Sequence, residues 1–236
     1  MKGKARVLAV VPARSGSKGI RHKNMQLVGG KSLIARAGLT LQCCPLVDRA
    51  VISTDSSAYA DEGRTHGLIS FSLRPAKLST DSAGAVDTVM HAVSEAEIKL
   101  CEVFDIVLIV EPTCPLRRPE DIHGAIEMLV RTGAQSVVTV SPVDSKYHPR
   151  KILRLEGKRL RFYEPGGASV IARQSLDQFY YRNGACYALT RQCLLEKQVI
   201  FGPSTRGYVV ERPLVNIDEP LDLEFARFLA ARCDVE

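Results

Sequence analysis

Residues 104–110 read FDIVLIV: after the Asp come five consecutive apolar residues, and four of these are β-branched. Such a run is typical of a strand buried on both faces, as the central strands of parallel sheets are. The next segment, residues 111–117 (EPTCPLR), contains two prolines, which cannot continue a ladder of backbone hydrogen bonds. Together they predict a central strand that ends in a rigid turn.

Similar apolar runs recur along the chain and alternate with helical patterns. We predict further strands at residues 6–12, 49–54, 68–73 and 135–141. We predict helices at residues 32–42, 56–66, 82–100, 119–131 and 219–231. This rhythm favours an α/β fold with a Rossmann-like, mainly parallel sheet and helices on both of its faces. We expect residues 1–236 to form one domain.

The rhythm stops at Pro142, and the core pattern resumes at residues 184–189. Between them the chain is polar and basic, and two short alternating segments flank Glu156-Gly157-Lys158. Gly in such a position is typical of a hairpin turn. We therefore predict a small β-rich insertion over residues 142–182.

Positive charge is concentrated at the start of the chain. The net charge is +6, yet nine Lys and Arg precede the first acidic residue, Asp48, and the remainder carries a net −3. That basic segment contains no aromatic residue, so stacking on nucleic-acid bases has no support. We favour a local anion site over a nucleic-acid surface.

Other classes of protein are disfavoured by equally simple features. No run of about 18 apolar residues is present, which argues against a membrane-spanning helix. The apolar run 7–11 is too short for a signal peptide. The seven cysteines include no C-x-x-C pair, which argues against a zinc site. We expect a cytoplasmic protein with reduced thiols and neither a membrane nor a nucleic-acid partner.

Ligands of open α/β sheets bind beyond the carboxyl ends of the strands. Residues 13–24 (ARSGSKGIRHKN) follow the first predicted strand and combine small residues with Arg14, Lys18 and Lys23. Small residues let backbone N–H groups approach an anion, and the cations add charge-assisted hydrogen bonds. The loop matches neither G-x-x-x-x-G-K-[ST] nor G-x-G-x-x-G. We predict a polyphosphate clamp, with a solvated basic loop as the alternative.

A candidate cation site lies near the C-terminus. In a strand, the side chains of Asn216 and Asp218 share one face, and two oxygen ligands there could hold a hard cation such as Mg²⁺. Capping of the helix that follows explains the same residues equally well.

Six segments carry a resemblance to a known family. They are 11–24 (VPARSGSKGIRHKN), 53–55 (STD), 73–83 (LRPAKLSTDSA), 111–117 (EPTCPLR), 180–187 (YYRNGACY) and 216–223 (NIDEPLDL). In this order they resemble the acylneuraminate cytidylyltransferases: the CMP-sialic acid synthetases and their relatives for other nonulosonic acids. The resemblance covers nearly the whole chain. It implies a nucleotidyltransferase that moves CMP from CTP to a 2-keto sugar acid, releases pyrophosphate and requires Mg²⁺ or Mn²⁺.

The resemblance also implies roles for individual residues. The matches to CTP-binding positions are Arg14, Ser17, Lys18, Lys23, Asn24, Arg74 and Ala85. The matches to the sugar-acid pocket are Glu111, Lys151, Arg173 and Asn183. Asp218 matches a metal-binding carboxylate, with Asn216 beside it, and the expected catalytic residues are Arg14, Lys23 and Asp218. Asp218 could bind metal, assist deprotonation of the sugar hydroxyl, or both.

Two departures from the family pattern bear on substrate and metal. Many relatives carry Gln where this chain has Glu111, and a carboxylate there repels an acidic acceptor unless it meets an amine or hydroxyls. We hypothesise an acceptor other than N-acetylneuraminate, such as legionaminic acid. Many relatives carry Asp where this chain has Asn216, which keeps an oxygen ligand but loses a charge.

In the family, the β-rich insertion pairs with a second subunit and helps to complete the partner's site. The resemblance of residues 142–182 to that element implies a homodimer, with a monomeric flap as the alternative. Two other functions stay open. One is a cytidylyltransferase for another acidic acceptor, such as an octulosonic acid or a phosphonate. The other is a non-catalytic nucleotide-binding module.

Overall fold

The computed structural model describes residues 5–167 and 176–233. Its strands are β1 Val7–Pro12, β2 Leu27–Val28, β3 Lys31–Ser32, β4 Arg49–Ser53, β5 Ile106–Ile109, β6 Ser136–Pro142, β7 Leu153–Glu156, β8 Arg159–Phe162, β9 Tyr180–Thr190 and β10 Arg206–Val209. Its helices are α1 Leu33–Gln42, α2 Ser57–Thr65, α3 Ala85–Leu100, α4 Pro119–Thr132 and α5 Pro220–Cys233.

Six strands form the central sheet, in the order β10-β6-β9-β5-β1-β4. β1 pairs in parallel with β4 and β5, and β10 pairs in parallel with β6. β9 runs antiparallel to both of its neighbours, β5 and β6. The predicted mainly parallel α/β sheet is confirmed. The reversed strand between β5 and β6 was not predicted, because an apolar run carries no sign of its direction.

Helices cover both faces of the sheet, as predicted. The continuous apolar run of β1 divides between two cores, because successive side chains of a strand point to opposite faces. Val7, Ala9 and Val11 pack with residues of α1, α2 and α4. Leu8 and Val10 pack on the other face with residues of α3.

The helix starts follow ordinary capping chemistry. Ser32 Oγ accepts a hydrogen bond from the N–H of Ala35 at the start of α1, and Ser56 caps α2 in the same way. Helix α3 begins at Ala85, three residues later than predicted, with Gly84 as its N-cap. Ala85 is therefore the first residue of α3, and residues 82–83 belong to the preceding loop.

One predicted strand is wrong. Residues 68–73 form only an isolated parallel bridge, from Ile69 to Val51, beside β4. The chain then turns away: Leu73 is exposed, and the N–H of Arg74 donates to the carbonyl of Thr54. The segment therefore delivers Arg74 to the end of β4 instead of extending the sheet.

The predicted hairpin is present, and one boundary of the predicted insertion is wrong. Strands β7 and β8 pair antiparallel around Gly157, whose φ of 63° suits glycine. The central sheet resumes at Tyr180, inside the range 142–182, because β9 is longer than the apolar core of its sequence. The extra residues at its start are exposed, so hydrophobicity did not reveal them.

Candidate functional site

A cleft of about 590 Å³ opens where strands β1 and β5 end. Because β9 is antiparallel to β5, its first half reaches the same edge of the sheet. Nine residues predicted for the site line this cleft: Arg14, Ser17, Lys18, Lys23, Asn24, Arg74, Ala85, Glu111 and Asp218. The fold thus brings together residues from five separate stretches of sequence.

The basic loop after β1 is held by hydrogen bonds to its backbone. The N–H and Oγ of Ser15 donate to the carboxylate of Asp55, at 2.8 and 3.0 Å. Asn24 is buried, and its Nδ2 donates to the carbonyl of Arg14 at 3.1 Å. These contacts fix the backbone of the loop and leave its cations in the cleft.

An acidic residue that was not predicted contacts two of those cations. Arg14 Nη1 lies 2.5 Å from Asp81 Oδ1, and Lys18 Nζ lies 2.6 Å from Asp81 Oδ2. Hydrogen bonds from Lys18 and Arg14 hold the pKa of Asp81 below its usual value. The carboxylate of Asp81 therefore forms ion pairs with two of the cations that we predicted to bind phosphate.

Lys23 joins the basic loop to the segment before α5. Its Nζ donates to the carbonyl of Ile217 at 2.8 Å and to Asp218 Oδ1 at 3.1 Å. The two segments also touch at Gly19, where an added Cβ would lie only 2.8 Å from the carbonyl oxygen of Asp218. The side chain of Asp218 is 75% exposed and faces the cleft.

The structure assigns the capping of α5 to another residue. Asp222 Oδ2 accepts hydrogen bonds from the N–H groups of Asp218 and Glu219, both at 2.9 Å. The carboxylate of Asp218 is therefore not the helix cap that the sequence left open. It remains available to the cleft, beside Lys23.

Arg74 shows the mark of a ligand-binding donor. It is 7% exposed, its Nε donates to Ser79 Oγ at 3.2 Å, and its Nη2 is buried without a hydrogen-bond partner among the described residues. Burial lowers the pKa of the guanidinium from its ordinary value. An unpaired buried donor costs about 1–3 kcal/mol, which a nucleotide oxygen could offset. Ala85, the first residue of α3, lines the cleft as well.

Glu111 stands at the end of β5 in a largely buried position. Burial raises the pKa of its carboxyl above the ordinary value, while the charge of Arg117 and a hydrogen bond from Tyr187 act in the opposite direction. Arg117 ties the turn to β9, because its Nε donates to the carbonyl of Ala185 at 3.0 Å and its Nη2 donates to that of Glu111. The rigid turn predicted at residues 111–117 is thus anchored to the neighbouring strand.

Asn183 needs a correction. It is 1% exposed and does not line the cleft, and it lies within β9 rather than in a turn. Its Oδ1 accepts from Thr139 Oγ1 at 2.7 Å, and its Nδ2 donates to Ser141 Oγ at 3.0 Å. Its amide stabilises the strand pairing of β9 with β6 and makes no contact with the cleft.

Asn216 also needs a correction. Residues 216–218 do not form a strand, so the alternation that placed Asn216 and Asp218 on one face does not apply. Asn216 does not line the cleft, and its Oδ1 is buried without a partner among the described residues. A role for Asn216 beside Asp218 in metal binding stays a prediction.

The two basic residues of the insertion have different outcomes. Lys151 ends a short 3-10 turn, Pro149–Lys151, and does not line the cleft of its own chain. Arg173 lies outside the described residues. Their contact with a sugar acid stays a prediction.

Three ionisable residues that line the cleft were not predicted from the sequence: Asp81, Arg182 and Tyr187. All three lie inside the segments 73–83 and 180–187, which carried the resemblance. The sequence held a signal for Asp81, because a carboxylate in a polar loop is a natural ion-pair partner for a basic loop at the same edge of the sheet. For Arg182 and Tyr187 no signal existed, because their spacing of five residues does not place two side chains on one strand face.

The site can accept a divalent metal through one protein carboxylate. Mg²⁺ is usually held by one or two carboxylates together with substrate phosphates and water. The exposed carboxylate of Asp218 at the cleft fits that role. Within residues 5–167 and 176–233, no group of three or more His, Cys, Asp or Glu side chains could hold a metal by itself.

The structure also bears on the expectations about membrane-spanning helices and about the thiols. In the part of the chain that the structure describes, no helix is long and apolar enough to cross a membrane. Among the cysteines whose side chains the structure describes, six have free thiols, and four of these, Cys44, Cys114, Cys186 and Cys193, are buried. Burial raises the pKa of Cys114 to about 11, so this thiol in the 111–117 turn stays protonated at neutral pH.

Comparison with known proteins shows the family. A family model described as cytidylyltransferase matches residues 8–201. The chain is 32% identical to the CMP-N,N'-diacetyllegionaminic acid synthase of Legionella pneumophila, over 92% of this chain and 93% of that protein. It is 28% identical to the N-acylneuraminate cytidylyltransferase of Escherichia coli O18:K1:H7, over 94% of this chain and 52% of that protein.

A solved structure gives the same fold at low sequence identity. The CMP:2-keto-3-deoxy-manno-octonic acid synthetase, complexed with CTP, superposes with a TM-score of 0.70 at 17% identity and covers 97% of this chain and 99% of its own. The resemblance that the six segments predicted is therefore confirmed. The chain belongs to the cytidylyltransferase family, among the relatives of acylneuraminate type.

Proposed function

We propose that this protein is a CMP-nonulosonate synthetase, which transfers CMP from CTP to the anomeric hydroxyl of a sialic-type sugar acid of the legionaminic class. One observation carries the proposal: Arg14, Lys18 and Lys23 enter a single cleft with Asp218 and the partly buried Glu111. A polyphosphate donor suits the cations, and a polar acceptor suits the opposite wall. The Legionella relative is named for a diacetyllegionaminic product.

The chemistry follows from the charges in the cleft. The acceptor hydroxyl forms a bond to the α-phosphorus, the bond to pyrophosphate breaks, and the hydroxyl proton passes to a base. Negative charge grows on the phosphoryl oxygens and on the departing pyrophosphate, and Arg14, Lys18 and Lys23 are placed to stabilise it. Asp218, oriented by Lys23, is our candidate for the base, for metal binding, or for both.

A bound Mg²⁺ or Mn²⁺ supplies further positive charge against the triphosphate. Asp218 is the residue we propose to hold it, together with the phosphates of CTP. Arg74, Asn24 and Ala85 are the proposed contacts with the nucleoside. A cytoplasmic location remains a prediction.

The direct test is pyrophosphate release with CTP and Mg²⁺ across a panel of acceptors. The panel contains N-acetylneuraminate, diacetyllegionaminate, pseudaminate, an octulosonate and a small phosphonate. We expect release with a nonulosonate, strongest with the legionaminic compound, and none when ATP, GTP or UTP replaces CTP. Release only with the octulosonate or the phosphonate would favour the alternative acceptor class. CTP binding with no release at all would favour a non-catalytic module.

Glu111 should set the choice among nonulosonates. The carboxyl of Glu111 accepts hydrogen bonds, so we expect it to favour an acceptor that presents a second acetamido N–H, as diacetyllegionaminate does and N-acetylneuraminate does not. We expect Glu111→Gln to raise kcat/KM for N-acetylneuraminate about tenfold and to lower it for the legionaminic acceptor. Equal turnover of N-acetylneuraminate by the wild type and the variant would contradict this role.

Asp81 should compete with CTP for the phosphate-binding cations. Its carboxylate contacts both Arg14 and Lys18, so a triphosphate must displace it. We expect Asp81→Asn to lower the Kd for CTP about threefold to tenfold, measured by calorimetry, with a steeper dependence on salt because the site gains one net positive charge. Asp61→Asn, on the exposed face of α2, is the matched control. A higher Kd for CTP in Asp81→Asn would show instead that Asp81 positions the cations.

The insertion should form the interface of a homodimer. Leu153 pairs with Phe162 and Leu155 pairs with Leu160, so these four side chains share one face of the hairpin, and all four are exposed. We expect sedimentation at micromolar concentration to give twice the 25.9 kDa mass of the chain. The double variant Leu155→Ser, Leu160→Ser should sediment as a monomer, and Arg154→Ser on the opposite face should not. A monomeric wild type would contradict the dimer.

A dimer would also give Lys151 and Arg173 a place to act. Both lie on the insertion, and Lys151 does not reach the cleft of its own chain. We propose that the insertion delivers them to the cleft of the second subunit.

A further inference from the structure

The wall of the cleft formed by β9 contains a cation with no role in the proposed mechanism. Arg182 lines the cleft from the first half of β9, and its charge acts on both Glu111 and Tyr187. β5 lies between β9 and β1, so about 10 Å separates this wall from the strand that carries the phosphate loop. Arg182 therefore enters the cleft from a strand two positions away from the one that carries the phosphate loop.

A bulge in β9 places Arg182 there. Val138 of β6 pairs with Tyr187, and Val140 pairs with Arg182. Three residues of β6, 138–140, thus lie opposite six of β9, 182–187, and the three extra residues form a bulge around Gly184, whose φ is 72°. Val138 and Val140 share a face of β6, so their partners Tyr187 and Arg182 share that face as well. In a regular strand their odd spacing would have put them on opposite faces.

An aromatic ring supports the guanidinium of Arg182. Its Cζ lies 5.5 Å from the centre of the Phe201 ring, within the range of a cation–π interaction. Phe201 is half-exposed, and its neighbour Ile200 lines the cleft. The ring limits the positions that the guanidinium can adopt, which reduces the entropy lost when it binds a ligand.

The charge balance of this wall indicates which ligand Arg182 takes. Glu111 presents a carboxyl to the same part of the cleft, and an acidic acceptor brings a second carboxylate next to it. A planar guanidinium binds a carboxylate with two parallel hydrogen bonds and offsets the repulsion. We propose that Arg182 binds the carboxylate of the sugar-acid acceptor, an inference that rests on the proposed function.

The test compares an acceptor with and without its charge. The acceptor is the best one from the panel, and its methyl ester is measured as a competitive ligand by its inhibition constant. In the wild type we expect the free acid to bind more tightly than the ester. In Arg182→Gln we expect the KM of the free acid to rise about 10-fold to 100-fold, and the inhibition constant of the ester to stay the same. The variant then no longer prefers the free acid over the ester. The KM for CTP should change less than about twofold.

Three further variants sharpen the result. Arg182→Lys should recover part of the affinity for the free acid, because it keeps the charge and loses the two-pronged geometry. Phe201→Leu should raise the KM of the free acid about twofold to fivefold. Arg206→Gln, an exposed arginine of β10, is the matched control and should behave like the wild type.

Two outcomes would overturn the assignment of Arg182. The first is an unchanged preference for the free acid over the ester in Arg182→Gln. The second is a rise in the KM for CTP equal to that for the acceptor, which would place Arg182 with the nucleotide. Failure of the proposed function looks different, because the wild type itself would then release no pyrophosphate with any nonulosonate of the panel.

Discussion

Lys23→Met should lower kcat by about 100-fold to 1,000-fold, the range found when a preorganised donor to a developing negative charge is removed. Lys23 is the cation of the loop that also touches the candidate base: its Nζ contacts Asp218 Oδ1 and the carbonyl of Ile217. The substitution removes positive charge from the reacting phosphates and releases Asp218 from its orientation. Methionine keeps most of the volume, so packing is preserved.

The measurement is steady-state pyrophosphate release with CTP and the best acceptor. Lys31→Met, which alters an exposed lysine in β3 outside the cleft, is the control and should keep the wild-type rate. Lys23→Arg should retain more activity than Lys23→Met, because it restores the charge. A loss confined to the KM for CTP, with kcat unchanged, would show that Lys23 binds the ground state and does not act in the transition state.

Gly184→Ala should affect both stability and acceptor binding. The φ of Gly184 is 72°, and an added Cβ would lie 2.6 Å from Glu111 Oε2 and 3.2 Å from Cγ of Asn216. Left-handed backbone costs a residue with a Cβ about 1–2 kcal/mol. Displacement of the Glu111 carboxyl from its buried contact with Tyr187 adds to this. We expect the free energy of unfolding to fall by roughly 3 kcal/mol and the KM of the acceptor to rise.

The chain offers a matched control for the backbone term. Gly133 has a φ of 63°, and a Cβ there would meet nothing within 4 Å. Gly133→Ala therefore reports the cost of the backbone alone, about 1–2 kcal/mol in urea unfolding, with normal acceptor kinetics. If Gly184→Ala and Gly133→Ala lose the same stability and Gly184→Ala keeps the wild-type KM, the close approach to Glu111 has no effect on the site.

Local patterns predicted most of the fold because they report burial and capping directly. The apolar runs of β1 and β5 lie where the sequence placed them, and Ser32 caps α1 as predicted. Strand direction and partner order depend on contacts between distant residues, and no local pattern carries them. The reversal of β9 is an example, since its apolar residues are the same in either direction.

The residues of the candidate site likewise fall into those that a local sequence pattern revealed and those that it did not. Arg14, Lys18 and Lys23 were found because small residues and cations after a strand indicate anion binding without any tertiary information. Asn183 was misplaced because β9 is not a regular strand, and Arg182 was missed for the same reason. The prediction for Asn216 rested on a three-residue alternation that was taken for a strand, and the structure has no strand at residues 216–218.

The position of β9 determines when the sheet can close during synthesis. Strands β1, β4 and β5 form one block, and β6 forms a separate edge until β9 arrives to join β5 with β6. A nascent chain that ends near residue 179 contains four strands of the sheet and lacks the one that connects them. Pairings between residues far apart in sequence form slowly. The emergence of β9 from the ribosome is therefore the earliest step at which the two halves of the sheet can dock and the cleft can exist.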